Sequence, residues 1–137
     1  VLKPGGHFAL AVWSTPETMR TLYWSYEVFK HRIDEDYHPP LAKVTSLGAP
    51  GIMDRLLREA GFTEFAVAPK TFHYQFESFS AYWDAVEASD ILKMQYDALP
   101  ENQRDEIRDE VGRFAKDFIK DGVLTIPHEY LLVCGVK

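Results

Sequence analysis

The sequence contains one cysteine, Cys134, among its 137 residues. A single cysteine excludes an internal disulfide framework and a cysteine-rich zinc site, and it is typical of a reducing compartment. Long apolar runs are also missing: the longest, residues 8–13, is far shorter than the roughly 20 residues that span a bilayer. We therefore expect a cytoplasmic protein that has no membrane partner.

Positive charge is in short supply. The chain carries 15 Lys and Arg against 21 Asp and Glu, which gives a formal net charge of -6. Proteins that bind nucleic acid neutralise phosphates with clustered basic residues, whereas the basic residues here are scattered. The five histidines, at positions 7, 31, 38, 73 and 128, show no metal-binding spacing such as His-x-x-x-His. The sequence predicts neither a nucleic-acid partner nor a metal site.

Two glycine-based catalytic motifs are absent. The eight glycines include no Gly-x-Gly-x-Gly, and Gly5-Gly6 precedes a predicted strand instead of joining a strand to a helix. No serine lies in a Gly-x-Ser-x-Gly context, which argues against a hydrolase triad. We predict that this chain alone binds no nucleotide-like cofactor.

Three stretches predict strands. His7–Trp13 is a nearly continuous apolar run, as expected for a strand that is covered on both faces. Residues 65–76 alternate aromatic and polar side chains, which indicates a half-buried strand. Residues 123–126 and 130–136, separated by Pro127, predict two strand-like segments.

Helices are predicted between the strands. Apolar residues recur at spacings of three and four from Met19 to Ile33, after a Ser-Thr-Pro start signal. A second helix runs from Pro50 to Gly61, Ser78 caps a short third helix, and Pro100 opens a fourth that Gly122 ends. Residues 34–49 predict a surface loop and 89–99 an irregular segment. The sequence therefore predicts a single domain over residues 1–137 of the α/β class (α+β for the isolated fragment), with a mixed sheet of about three strands and flanking helices.

Three motifs occur in order along the chain. Residues 1–10 read Val-Leu-Lys-Pro-Gly-Gly-His-Phe-Ala-Leu, residues 56–62 read Leu-Leu-Arg-Glu-Ala-Gly-Phe, and residues 130–137 end the chain in an apolar strand. These segments resemble the turn into the fifth strand, the turn into the sixth strand and the seventh strand of class I S-adenosylmethionine-dependent methyltransferases of the ubiquinone-biosynthesis and small-molecule type. Their order and spacing span the chain from its first residue to its last.

The resemblance implies the second, acceptor-side half of a Rossmann-like methyltransferase sheet. In that family the cofactor lies over the first half, whose glycine-rich turn is missing here. The resemblance implies that S-adenosylmethionine serves the intact enzyme, and we expect that sequence upstream of Val1 once supplied the cofactor half. As an isolated chain, the protein is predicted to be inactive.

The resemblance also implies a site for a small-molecule acceptor above the carboxyl ends of the strands. Trp13 and Ser14 end the first strand and are expected to face it, with Tyr23, Trp24 and Tyr26 covering it from the following helix. Trp24 falls off the apolar stripe of that helix, whereas the two tyrosines and Trp13 are also explained by core packing.

His38 and His73 are candidate general bases if they meet in a pocket, because histidine titrates near neutral pH. The alternative is that both are surface histidines. A second function also remains open: a non-enzymatic α+β module that binds a hydrophobic ligand or partner. An exposed strand edge would then favour a homodimer or a strand-exchanged pair.

Overall fold

The computed structural model describes residues 2–38 and 40–137, except for the side chain of Ile91; Val1 and Pro39 of the sequence motifs lie outside the described residues. In this part of the chain four strands form one sheet: β1 (His7–Trp13), β2 (Glu64–Phe76), β3 (Ile119–Lys120) and β4 (Val123–Val136). Their order is β1-β4-β2, and β3 pairs with the start of β4. The α+β architecture with flanking helices is confirmed, and all the strand pairs are antiparallel instead of mixed.

Strand β4 is continuous, so the prediction of two segments interrupted by Pro127 is wrong. Pro127 is tolerated because β1 pairs only with residues 130–136, which leaves one side of β4 without a neighbouring strand at that position. The Pro127 carbonyl instead accepts a hydrogen bond from the Arg20 guanidinium at 3.1 Å. Asp121 and Gly122, both with positive φ, make the turn from β3 into β4.

Within the described residues, six α-helices flank the sheet: α1 (Arg20–Phe29), α2 (Leu41–Val44), α3 (Ile52–Glu59), α4 (Phe79–Ala88), α5 (Asp90–Asp97) and α6 (Arg104–Ala115). Short 3-10 turns at Pro16–Thr18 and Glu101–Gln103 precede α1 and α6, so both helices start later than the sequence predicts. Two predicted helix ends are confirmed. Ser78 accepts a hydrogen bond from the Ala81 N–H at 3.1 Å, and Gly61 follows α3 with φ +83.

Two segments that the sequence predicts as irregular contain helices. α5 lies in the segment 89–99, and α2 lies in the predicted loop 34–49. Both are anchored by buried side chains, namely Leu92, Gln95 and Leu99 for α5 and Leu41 and Thr45 for α2. These short helices gain their stability from tertiary packing, which local sequence signals do not report.

The larger hydrophobic core covers one face of the sheet at the end where β2 meets the start of β4. Leu124 and Ile126 of β4 point into it and are fully buried. They pack with side chains from α1, α4, α5 and α6. Arg32, just after α1, ties this layer together, because its guanidinium donates to both Glu110 carboxylate oxygens of α6 at 3.0 and 2.6 Å.

A smaller core lies on the opposite face at the other end of the sheet. Met53 and Leu57 of α3 pack there against Val133 of β4. Phe8 and Phe62 join it with ring centroids 4.8 Å apart. The buried residues of β4 therefore change sides along the strand, from even-numbered positions near its start to Val133 near its end.

We call the side that carries the even-numbered residues of β2 and β4 and the odd-numbered residues of β1 the groove face. The register places Trp13 opposite Tyr130, and Tyr130 opposite Lys70, on this side. Toward β1 the groove face is open, since Ala9 and Ala11 are exposed. The prediction that β1 is covered on both faces is wrong for this chain. None of the helices in residues 2–38 and 40–137 has the length and apolarity needed to cross a membrane.

Candidate functional site

An open groove of about 750 Å³ lies where the groove face passes from its covered end to its open end. Its floor is formed by the sheet, and its wall by α2 with the residues that follow it. Four aromatic side chains contribute to the floor: Trp13, Phe72, Tyr74 and Tyr130. The volume falls within the range of small-molecule sites in proteins.

The aromatic floor arises from strand alternation. Phe72 and Tyr74 are two residues apart on β2, so both point to the groove face, and their rings meet edge to face with centroids 4.8 Å apart. Phe72 is 50% exposed and Tyr74 39% exposed. Exposed rings at adjacent positions are unusual in a core-forming strand, and they make this surface a binding candidate.

His128 lies on the groove face next to this floor and is 1% exposed. Its ring centroid is 4.9 Å from that of Tyr74 and 5.9 Å from that of Trp13, both in edge-to-face geometry. The Thr21 N–H donates to Nε2 at 3.3 Å, so this nitrogen carries no proton and Nδ1 does. Burial lowers the pKa of His128, and a backbone hydrogen bond to Ile126 opposes this effect. A neutral histidine therefore supports two rings of the groove.

The end of β1 is fixed by two close contacts. The Ser14 hydroxyl donates to the Glu129 carboxylate at 2.7 Å, and Ser14 is buried. Gly48 lies against the Trp13 and Ser14 carbonyls, where an added Cβ would come within 2.1 to 2.2 Å of the two oxygens. These contacts hold the groove wall against the strand. Ser14 is thus a structural neighbour of the groove, while Trp13 lines it.

A second cleft, of about 590 Å³, lies between α1 and the residues that lead into α2. Tyr23, Tyr26 and His38 line it together, whereas Trp13, which the sequence analysis groups with the two tyrosines in one site, lines the groove. The Tyr26 and His38 rings meet edge to face at 5.7 Å. Burial and the nearby Glu27 raise the pKa of the Tyr23 hydroxyl. Lys43 lines both this cleft and the groove.

Two candidates lie away from both clefts. Trp24 is 4% exposed and packs against Tyr82 and Phe118 in the larger core, so the prediction that it lies off the packed face of its helix is wrong. His73 lies on the face of β2 opposite to Tyr74, because neighbouring strand residues point to opposite sides. The structure therefore does not bring His73 to the groove face, where the groove lies.

Sequence reasoning missed Phe72, Tyr74, Tyr130 and His128 as site residues. The alternation of Phe72, Tyr74 and Phe76 was visible, but it indicated a buried face, and only Phe76 is packed against the larger core. Whether each of these aromatic residues is packed or exposed depends on its distance from the helices that cover β2. This distance is a property of the three-dimensional fold.

The groove can bind an apolar ring, and the neighbouring cleft supplies titratable groups. No group of three or more His, Cys, Asp or Glu side chains among residues 2–38 and 40–137 is arranged to hold a metal ion. No protein-family model matches the chain, and no curated protein matches it.

Proposed function

We propose that this chain is the acceptor-side part of a class I S-adenosylmethionine-dependent methyltransferase that transfers a methyl group to a small molecule. The observation that carries the proposal is the aromatic groove at the carboxyl end of β1. In open α/β sheets, ligands bind outside the carboxyl ends of the strands. The three sequence motifs that resemble the family lie on β1, on the turn after α3 and on β4.

The strand order supports the same proposal. β4, the last strand in sequence, inserts between β1 and β2 and runs antiparallel to both. In this proposal β1, β2 and β4 correspond to the fifth, sixth and seventh strands that the sequence motifs resemble. β1 would then be the strand that meets the cofactor-binding half, and its free edge and its open groove face are consistent with that role.

Methyl transfer needs an acceptor held in line with the sulfonium methyl group, and positioning supplies much of the rate. In this proposal Trp13 and Tyr130 hold the acceptor ring. His38 is the candidate base, because it lies in the adjacent cleft with Tyr26. The chain's one cysteine is exposed and unpaired within the described residues, which suits a cytoplasmic enzyme.

The test compares this chain with the product of its full reading frame. We expect the frame upstream of Val1 to encode a strand followed by Gly-x-Gly-x-Gly. The full product should transfer radiolabelled methyl groups from S-adenosylmethionine to small aromatic acceptors, and Trp13→Ala should reduce the transfer. Residues 1–137 alone should bind S-adenosylhomocysteine weakly in calorimetry. Tight one-to-one binding of S-adenosylhomocysteine by residues 1–137 would contradict the proposal.

A second candidate is a non-enzymatic module that binds a hydrophobic ligand or dimerises. It is favoured by β1, an edge strand with exposed Ala9, Leu10 and Ala11. Light scattering should then report a dimer of the 15.8 kDa chain. Ala9→Lys should dissociate it, and Ala88→Lys, on the exposed side of α4, should not. A wild-type monomer would rule out the dimer.

A further inference from the structure

The groove contains a single charged side chain among its lining residues, Lys43 of α2. All other lining residues are aromatic, aliphatic or, in the case of Ser46, neutral and polar. The ion pairs within the described residues leave Lys43 without a carboxylate partner. An ammonium group beside an apolar surface favours an anionic group on whatever occupies that surface.

The neighbouring cleft has the opposite chemistry. It is lined by three carboxylates, from Glu17, Glu27 and Glu35, together with the shared Lys43. These acids repel an anion from that cleft, and the groove contains no carboxylate among its lining residues. An anionic ligand is therefore directed to the side of Lys43 that faces the aromatic groove.

The two sides of the groove suit a flat ring. The floor is formed by the aromatic side chains of the sheet, and the wall by Val44 and Leu47, which are 36% and 39% exposed. A ring that fills the space between these exposed side chains buries apolar surface on both sides of the groove. This burial makes binding of the ring favourable. A flat ring contacts both sides, and an acidic substituent at its edge reaches Lys43.

We infer that the groove binds a planar aromatic carboxylate, with its ring between the floor and the wall and its carboxylate on the Lys43 ammonium. The role of this ligand as a methyl acceptor rests on the proposed function. The binding itself is a property of this chain and requires no cofactor.

The chain carries its own reporter. Trp13 lines the groove, whereas Trp24 and Trp83 are 4% and 2% exposed in the larger core. The three indole N–H signals of ¹⁵N-labelled protein are assigned with Trp13→Phe. Titration with 2-naphthoate should shift the Trp13 signal saturably, with a Kd of about 1 mM or tighter, and should leave the two core signals in place.

The charge requirement is tested with 2-naphthalenemethanol, which has the same ring but no charge. We expect 2-naphthoate to bind about two- to fivefold more tightly, the range of an exposed ion pair. Lys43→Gln should remove this preference and leave binding of the alcohol unchanged. Lys120→Gln, at the β3–β4 turn, is the matched control for loss of one positive charge and should keep the preference.

Three results would overturn the inference: a Trp13 signal that neither compound shifts, equal affinity for the two compounds in the wild-type protein, or a preference that survives Lys43→Gln. These results do not bear on methyl transfer, which the assay on the full reading frame measures separately. A groove that binds 2-naphthoate in a protein that transfers no methyl group would refute the proposed function alone.

Discussion

The hydroxyl of Tyr82 provides a sharp test of the larger core. Tyr82 is 2% exposed on α4, and its ring packs against Trp24, Phe76 and Phe79. Its hydroxyl oxygen has no hydrogen-bond partner among the described residues. Burial also raises the pKa of this hydroxyl, so the group stays neutral under ordinary conditions. The folded state thus carries the desolvation cost of a polar group without a compensating bond.

The substitution Tyr82→Phe removes that cost and keeps the ring. A buried polar group without a hydrogen-bond partner costs about 1–3 kcal/mol. The free energy of unfolding of the variant should therefore exceed that of the wild-type protein by about 1 kcal/mol or more. For a chain of this length, 1 kcal/mol corresponds to a rise in Tm of about 4 °C. The dependence of unfolding on urea concentration should keep its slope, because the surface exposed on unfolding is nearly unchanged.

Urea unfolding followed by circular dichroism and by tryptophan fluorescence measures this effect. The fluorescence signal is local, since Trp24 and Trp83 lie in the same core as Tyr82. Tyr37→Phe is the matched control, because Tyr37 is 42% exposed and loss of its hydroxyl should change stability by less than about 0.5 kcal/mol. Destabilisation of Tyr82→Phe by about 1 kcal/mol would show that the hydroxyl is hydrogen-bonded in solution, and the reasoning would fail.

Two further predictions concern the surroundings of the groove. Because burial lowers the pKa of His128 below its ordinary value of 6.5, the unfolded chain binds more protons than the folded chain as pH falls below that value. The free energy of unfolding should therefore decrease as the pH falls from 6.5 to the pKa of His128 in the folded state. His128→Gln should make the urea midpoint less dependent on pH between pH 7.5 and about 5.5. A pH dependence that is unchanged in this variant would contradict the prediction. Gly48→Ala should lose about 1–3 kcal/mol, because its Cβ meets the Trp13 and Ser14 carbonyls. Gly112→Ala is the control with the opposite sign: it lies inside α6, where the nearest atom is the Phe79 ring at 3.4 Å, and should gain about 0.5–1 kcal/mol in thermal unfolding. Equal effects of the two glycine substitutions would refute the contact.

Elements with local signals could be predicted from the sequence. The cap at Ser78 and the turn at Gly61 depend on residues within one helical turn, and both occur where the sequence indicates. β1 and β2 are also found at their predicted positions to within one residue. In each case the signal that predicts the element lies in residues that are close along the chain, although β1 and β2 themselves pair with the distant β4.

The remaining features depend on contacts between distant parts of the chain. β4 buries one side near Ile126 and the other near Val133, so no single alternation describes it, and the sequence suggested two segments. Trp24 is buried because Tyr82 of α4 and Phe118 pack against it, and the apolar stripe of α1 alone does not reveal these distant contacts. The groove joins β1, α2, β2 and β4, so its members could not be grouped from their spacing.

The placement of the two cores on opposite faces of one long β2–β4 pair has a consequence for how the protein can change. α4, α5 and α6 lie between β2 and β4 in the sequence and cover one end, whereas α3 covers the other end from the other side. Because antiparallel neighbours can be joined by a short turn, the sheet itself does not require the long connection. Substitutions or insertions among α4–α6 therefore act on the larger core and leave the packing of Leu57 on Val133 in place, so the two ends of the sheet can change independently in evolution.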